Sequence, residues 1–357
     1  IVPGYRALSD AVHAEGGRIL AQLAHSGGTV LINQPGLESW AASPVRSEIN
    51  GNIAHEMTLA EIHEVIDAHA QGAKRVAAGG MDGVEILGAF GFLPQAFLSP
   101  LTNHRTDKYG GALKNRLRFL MELLEAVRGA LGRGHVLGVR LPGDEFEPGA
   151  LDLEQMKTIC KQIADTGLID YLNIIAHTNI THLGRSLHWA PTPTRHGIFV
   201  HLAGAIREVV NLPVFTVGRI VDPAHAEHII AHGQADMVGM TRAHICDPQI
   251  LSKIRGHLEA SIRICVGANV CIANRYAGKP IRCIQNPTVA TPGVALSPTK
   301  ASKKVSVIGA GPAGLECARI CAERGHTVQI FDAANKPGGQ LALWASAPST
   351  GELARII

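Results

Sequence analysis

The strongest constraint on this chain is a rhythm: short, mostly apolar runs alternate with longer stretches of helical period. Strand-length runs fall at Arg18–Leu23, Gly83–Leu87, Val136–Leu141, Tyr171–Ile175, Val214–Val217 and Asp236–Met240. Between them, near 58–78, 112–132, 152–166, 197–210 and 222–232, apolar residues recur at three- and four-residue spacing. Apolar strands alternating with helices build a parallel sheet with the helices outside. Thr58 with Glu61 has the pattern of a capping box, and Asp152 that of an N-cap. Six such repeats precede residue 258, and a (β/α)8 barrel at roughly 30 residues per unit needs two more. The expectation is an α/β chain over 1–258: a TIM barrel lacking its first two βα units. An open, doubly wound sheet of six strands is the alternative. The chain opens at Ile1 and stops at Ile357, each inside a helical pattern. A fragment is therefore expected, inactive and poorly folded on its own.

Residues 259–290 carry a second constraint. They contain Cys265-Val-Gly-Ala268-Asn-Val-Cys271, with Cys283 twelve positions further on. Cysteine runs of this kind gather thiolates around an iron–sulfur cluster, but Ala268 stands where the second cysteine belongs. Soft thiolates favour iron–sulfur or zinc over hard cations. Three free thiols in a loop are the plain alternative. With three ligands, one iron needs water, substrate or another side chain, or the site holds a three-iron cluster; 4Fe-4S and 3Fe-4S both stand. Cys317 and Cys321, one helical turn apart, read as core.

A linker is expected at 291–303, within a stretch rich in Pro, Ser, Thr and Gly. From 304 the chain reads as the start of a Rossmann-like FAD/NAD(P)-binding domain. Strand 305–308 runs into Gly309-Ala-Gly311-Pro-Ala-Gly314, helix 313–324, strand 327–331 and Asp332. Gly309, Gly311 and Gly314 permit a tight turn and close approach to a pyrophosphate, and Asp332 is placed to take the ribose hydroxyls.

The bulk numbers exclude other classes. A net charge of +3 without a Lys/Arg-rich block argues against nucleic acid or an anionic membrane as partner. No apolar run is long enough to span a bilayer, and the N-terminus does not read as a signal peptide. Seven cysteines, three of them grouped, are not a disulfide framework; a reducing compartment, the cytoplasm, is expected.

One stretch resembles a known family. Phe97-Leu-Ser-Pro-Leu-Thr-Asn-His-Arg-Thr-Asp-Lys-Tyr-Gly-Gly111, followed by Asn115-Arg116, is similar to the old yellow enzyme family of FMN barrels. The cluster segment and glycine motif narrow this to the multidomain branch of trimethylamine dehydrogenase and 2,4-dienoyl-CoA reductase. Asp236-Met-Val-Gly-Met-Thr-Arg-Ala-His-Ile-Cys-Asp-Pro248 and Cys265-Val-Gly-Ala-Asn resemble the subgroup that demethylates N-methyl amino acids such as dimethylglycine or N-methylproline. There an alanine at the second cysteine position also recurs.

The resemblance implies FMN, an iron–sulfur cluster and FAD (or ADP), with NAD(P) or an electron-transfer protein as acceptor. Gln22 matches the residue that holds the flavin pyrimidine edge, and Arg140 the one beside flavin N1 and O2. Gly218, Arg219, Thr241 and Arg242 match the phosphate pocket. Gly338-Gly339-Gln340-Leu341 resembles a loop of FAD-binding relatives, which favours FAD over ADP.

The catalytic end departs from the family. Many relatives carry polar side chains after the second strand, whereas this chain reads Leu87-Gly-Ala-Phe90-Gly-Phe92-Leu. Alkene reduction needs a proton donor. Amine oxidation needs a base and a pocket for a methylated ammonium, which aromatic rings attract by about 0.5–2 kcal/mol per contact. Phe90, Phe92 and Trp189 are the expected wall, with core packing of both Phe as the alternative. The strand ending at His177 brings His177, Asn179 and His182 to the same rim, and His177 and His182 are the candidate bases. The expected activity is oxidative N-demethylation of a small secondary or tertiary amine. Electrons would pass from FMN through the cluster to FAD. NAD(P)H-dependent enoyl reduction and a non-catalytic flavin carrier are the alternatives. A homo-oligomer is compatible with all three.

Overall fold

The computed structural model describes residues 1–29, 38–49, 51–289 and 296–357. Two compact units emerge: residues 1–189 with 197–239, and residues 190–196 with 240–357. The linker expected at 291–303 lies outside the described residues as far as residue 295.

The first unit contains β1 (Leu20–Leu23), the short β2 (Trp40–Ala41) and β3 (His55–Glu56), then β4 (Gly83–Leu87), β5 (Val136–Pro142), β6 (Tyr171–Ile175), β7 (Val214–Thr216) and β8 (Met237–Val238). β2 and β3 pair with each other, and the other six form one sheet ordered β1-β4-β5-β6-β7-β8. All its pairings are parallel. Strands in simple chain order are the wall of a barrel; a doubly wound sheet reverses its order at a switch point. Helices Leu59–Ala78, Leu113–Leu131, Leu153–Asp165, Val200–Arg207 and Pro223–Ala231 each fall inside an expected stretch. Thr58 and Glu61 do close a capping box, the Glu61 N–H donating to Thr58 Oγ1 (3.3 Å) and the Thr58 N–H to Glu61 Oε2 (2.7 Å). Asp152 Oδ1 accepts from the Gln155 N–H at 2.8 Å.

Alternate strand residues do different work. Val84, Ile86, Leu137, Val139, Leu141, Leu172, Ile174 and Val214 join one buried core with helix residues such as Ile62, Val65, Leu120 and Leu124. Each such side chain removed from water contributes about 1.5–3 kcal/mol. The residues between them, Glu85, Arg140, Tyr171 and Asn173, share the other face. Gly138 belongs to that face because an added Cβ would lie 2.1 Å from the Tyr171 ring.

The N-terminal edge of the sheet is tied by a repeated device. Asp82, Asp170 and Asp236 each precede a strand, and each accepts a backbone N–H from the neighbouring one: Ile19 (2.8 Å), Leu137 (2.7 Å) and Val214 (2.8 Å). A cation supports each carboxylate: Arg18, Arg128 and Arg207 respectively. In a barrel this end carries stability, which leaves the C-terminal ends for chemistry.

The second unit holds β9 (Lys304–Ile308) and β10 (Thr327–Phe331), parallel, with helix Pro312–Glu323 between them. The βαβ start expected from the glycine motif is present. Among the described residues, no helix is long and apolar enough to cross a membrane.

Candidate functional site

Glu85 is the hub of the polar face. Its Oε1 accepts from Gln22 Nε2 (2.6 Å), and its Oε2 from the Tyr171 hydroxyl (3.0 Å) and Asn173 Nδ2 (2.8 Å). Strand register sets Arg140 beside Leu87 and Asn173. Burial draws the Arg140 pKa down, while nearby Glu85 and Tyr171 push it back. Its Nε is shut off from solvent and has no hydrogen-bond partner, as are Asn173 Oδ1 and Asn179 Oδ1. A buried guanidinium with a donor to spare, beside amide acceptors, fits the anionic edge of a reduced flavin. Gln22 and Arg140 thus share the polar face of the sheet.

Each loop after β4 to β7 holds one non-glycine residue in the left-handed region: Phe90 (φ 69°), Phe146 (φ 54°), His177 (φ 71°) and Arg219 (φ 56°). Such conformations cost on the order of 1–3 kcal/mol each and gather at functional sites. A buried network holds three of these loops. The Gly91 N–H donates to Gln95 Oε1 (2.6 Å), and Gln95 Nε2 donates to Glu145 Oε1 (2.5 Å) and the His177 carbonyl (3.4 Å). Glu145 also accepts from Ser99 Oγ (2.6 Å) and the Leu151 N–H (2.9 Å). Burial still raises its pKa above the ordinary carboxylate range.

Aromatic rings fill the same end. Phe90 meets Phe92 edge-on at 6.1 Å, His188 at 3.9 Å and the Arg140 guanidinium at 5.0 Å. Trp189 meets His188 at 4.2 Å. The structure therefore links Phe90 and Trp189 through His188, with Phe92 against Phe90, and both Phe also pack on the core. His177 is buried between Phe146 (4.9 Å) and Phe199 (5.6 Å). Burial lowers its pKa, outweighing Asp144, and so favours the neutral ring. His182 lies elsewhere: it is exposed at the start of helix His182–His188, its N–H donating to Glu48 Oε2 at 2.9 Å. Among the described residues, no hydrogen bond or ring contact joins it to His177. Arg219 is buried after β7, and Gly218 (φ 120°) is required there, since a Cβ would lie 2.5 Å from the Phe199 ring.

In the second unit, Thr241 and Arg242 open helix Thr241–Cys246. Arg242 Nη1 donates to the Ala190 carbonyl (2.9 Å) and Asn269 Oδ1 (2.5 Å). Arg242 also lines a pocket with Cys265, Ala268, Cys271 and Cys283. The three expected thiols thus share one cavity. Among the described residues, no three His, Cys, Asp or Glu side chains are gathered tightly enough for a single metal ion. A cluster carries iron and sulfide of its own between its thiolates, so its ligands stand wider apart. Cys246 donates a hydrogen bond to Cys283, which keeps the Cys246 proton in place and lowers the Cys283 pKa.

At the glycine motif, a Cβ on Gly309 or Gly311 would meet nothing within 4 Å, whereas one on Gly314 would strike the Gly309 carbonyl at 1.8 Å. Open space at the first two and tight helix packing at the third suit a pyrophosphate. Asp332 accepts the Ala310 N–H (2.6 Å) and the Ala334 N–H (2.7 Å), so it braces the turn it follows. The Gly338 N–H donates to the Ala310 carbonyl (2.7 Å), and Gly339 leads into helix Gln340–Ala345 beside Gly311.

Residues 1–261 match the family model described as NADH:flavin oxidoreductase / NADH oxidase. The chain belongs to that family. Residues 307–353 match an NAD(P)-binding Rossmann-like domain. The N,N-dimethylglycine/sarcosine dehydrogenase of Chromohalobacter salexigens is 39% identical over 369 residues, covering 100% of this chain and 52% of that protein. A probable N-methylproline demethylase of Rhizobium meliloti is 42% identical over 361 residues, covering 100% and 53%. A 2-naphthoyl-CoA reductase structure superposes with a TM-score of 0.93 at 31% identity, over 99% of this chain and 56% of that one. The chain spans about half the length of the curated relatives it matches.

Glu85, Gln95, Glu145, His188 and Cys246 escaped the sequence reading. Glu85 interrupts the apolar run Gly83–Leu87 and could have been noticed as a charge in a buried strand. Gln95, Glu145 and His188 carry no local signal; only the fold joins them.

Proposed function

We propose that this chain supplies the flavin-bearing part of an oxidoreductase that removes an N-methyl group from a small secondary or tertiary amine. The observation that carries this reading is the mouth of the sheet: aromatic rings against a buried Arg140, with a buried His177 in the loop after the neighbouring strand. Its loop Leu87–Leu93 offers no Tyr or Cys as proton donor. Bound there, FMN would accept a hydride from the N-methyl carbon, leaving an iminium that water hydrolyses to formaldehyde and the demethylated amine. Arg140 supplies a fixed positive charge at the flavin edge, and Gln22 an amide held by Glu85. Arg219, with Gly218, would bind the phosphate. Phe90, Phe92 and Trp189 hold the alkylated nitrogen, and His177 Nδ1 or Nε2 takes its proton; His182 is the second candidate. Cys265, Cys271 and Cys283 would hold an iron–sulfur cluster, which supplies one-electron transfer. Gly309, Gly311, Gly314, Gly339, Gln340 and Asp332 would hold FAD. The reductase likeness keeps enoyl reduction as the second reading.

Phe90→Ala in the full-length flavoprotein should raise the amine Kd about 2- to 30-fold; an unchanged Kd rejects the aromatic wall. A buried imidazole accepts a proton only above its pKa, here depressed below 6.5. Hence kcat/KM should fall as pH drops through that value. In His177→Ala this acid limb should vanish and kcat should drop by roughly 100-fold or more, whereas its survival there and loss in His182→Ala would transfer the role.

A further inference from the structure

The thiol pocket has three expected ligands and Ala268 at the fourth position. We propose that Cys246, the last residue of helix Thr241–Cys246, is the fourth thiolate of the cluster held by Cys265, Cys271 and Cys283. This inference rests on the cluster reading above.

Cys246 is only 1% exposed, and the preceding residue, Ile245, lines the pocket. Its thiol is hydrogen-bonded to Cys283 and lies within electrostatic reach of Cys265. Cys265 in turn reaches both Cys271 and Cys283. The fold fixes these segments to one another from both sides of Cys246. Asp247 Oδ2 accepts the Arg263 N–H at 3.0 Å, joining the residue after Cys246 to the approach to Cys265. Asn286 Nδ2 donates to the Ile245 carbonyl at 2.9 Å, joining the residue before Cys246 to the segment of Cys283. Arg263 Nη1 to the Gln285 carbonyl (2.9 Å) and Gln285 Nε2 to the Ile264 carbonyl (2.8 Å) close the triangle. Lys253 Nζ, at 2.6 Å from Asp247 Oδ2, anchors the same corner.

A buried cysteine is ordinarily a small apolar side chain. Cys160, in the first unit, is of that kind: it is fully buried and interacts with no other thiol. Cys246 differs in facing two others, Cys283 and Cys265. In sequence it lies nineteen positions before Cys265, outside the compact cysteine run, so spacing gives no hint of it. The alanine inside the run and the cysteine outside it are complementary: one removes a thiol from the pocket and the other returns it. On ligation the proton shared by Cys246 and Cys283 leaves for solvent as the iron–thiolate bond forms.

The test uses the full-length protein, purified anaerobically, with iron and acid-labile sulfide analysis and EPR before and after ferricyanide. Four thiolates should hold about four irons per chain, all retained on oxidation. Conversion of the wild type to a three-iron signal would contradict a fourth cysteine. Cys246→Ala should lower the iron to about three and give the three-iron signal. Cys246→Ala/Ala268→Cys should regain the four-iron content, which also guards against a folding defect in the single variant. Full iron and an unchanged spectrum in Cys246→Ala would overturn the role of Cys246 alone. Wild-type protein without iron, even after reconstitution, would overturn the cluster reading and the inference with it.

Discussion

The two parallel β segments of this protein are built from similar residues and end in different states. In β4 every residue is buried, and in β6 all but one, whereas β10 buries none of its five and β9 one. Ile308 is 89% exposed and Phe331 54%, although Val-Ser-Val-Ile and Val-Gln-Ile-Phe are good strand sequences. In the first unit both faces of the sheet are used, one by helices and one by the Glu85 layer. In the second, backbone pairing and the glycine turn are formed while the strands' side chains remain largely in water. Local sequence is thus enough to set a βαβ geometry, and burial is a separate matter decided by what covers it.

Matched substitutions test this contrast most severely. Phe119→Ala, at a fully buried position, should cost about 3–5 kcal/mol, while Phe331→Ala should stay within about 0.5 kcal/mol. Denaturant unfolding measures both, and comparable losses would break the comparison. A Gly→Ala pair sharpens it. Gly138→Ala drives a methyl into the Tyr171 ring and should destabilise by about 1–3 kcal/mol, loosening Glu85 and lowering flavin retention. Gly311→Ala faces open space; stability should be unchanged while dinucleotide retention falls.

The smallest effect concerns acid. Burial raises the Asp82 carboxyl, but hydrogen bonds from His13, the Ile19 N–H and Arg18 outweigh it and bring its pKa to about 2. A depressed carboxylate stabilises the fold above its unfolded pKa, and that stability is lost as pH falls from about 4 to 2. Asp82→Asn should flatten this part of the stability profile at a cost of about 1 kcal/mol. A slope that persists in the variant would assign it to other groups.

Much of the fold was legible in the chain. β4, β6 and β10 fall where their apolar runs do, because those runs are bounded by clear breaks such as Gly80 and Asp82. The glycine turn was legible too: Gly309 takes a positive φ and Gly314 packs against the Gly309 carbonyl. The site was legible only in part. The places of Phe90 and His177 in loops after strands could be read from sequence, but the strained backbone that presents them is a tertiary effect. His182 shows the limit of that reasoning: five residues beyond His177, it is an exposed residue at the start of a helix instead of facing inward. Sequence spacing likewise could not reach Cys246, whose relation to Cys283 is made by the Asp247–Arg263 and Asn286–Ile245 links.

The central claim is that the mouth of this sheet oxidises amines. It is tested most directly by following flavin absorbance anaerobically in the full-length protein while N-methylated amino acids are added one at a time. Bleaching by an N-methyl amine without NAD(P)H is the predicted result. Failure of every such amine, with rapid bleaching by NAD(P)H and recovery on adding an enoyl substrate, would contradict it and establish the reductase.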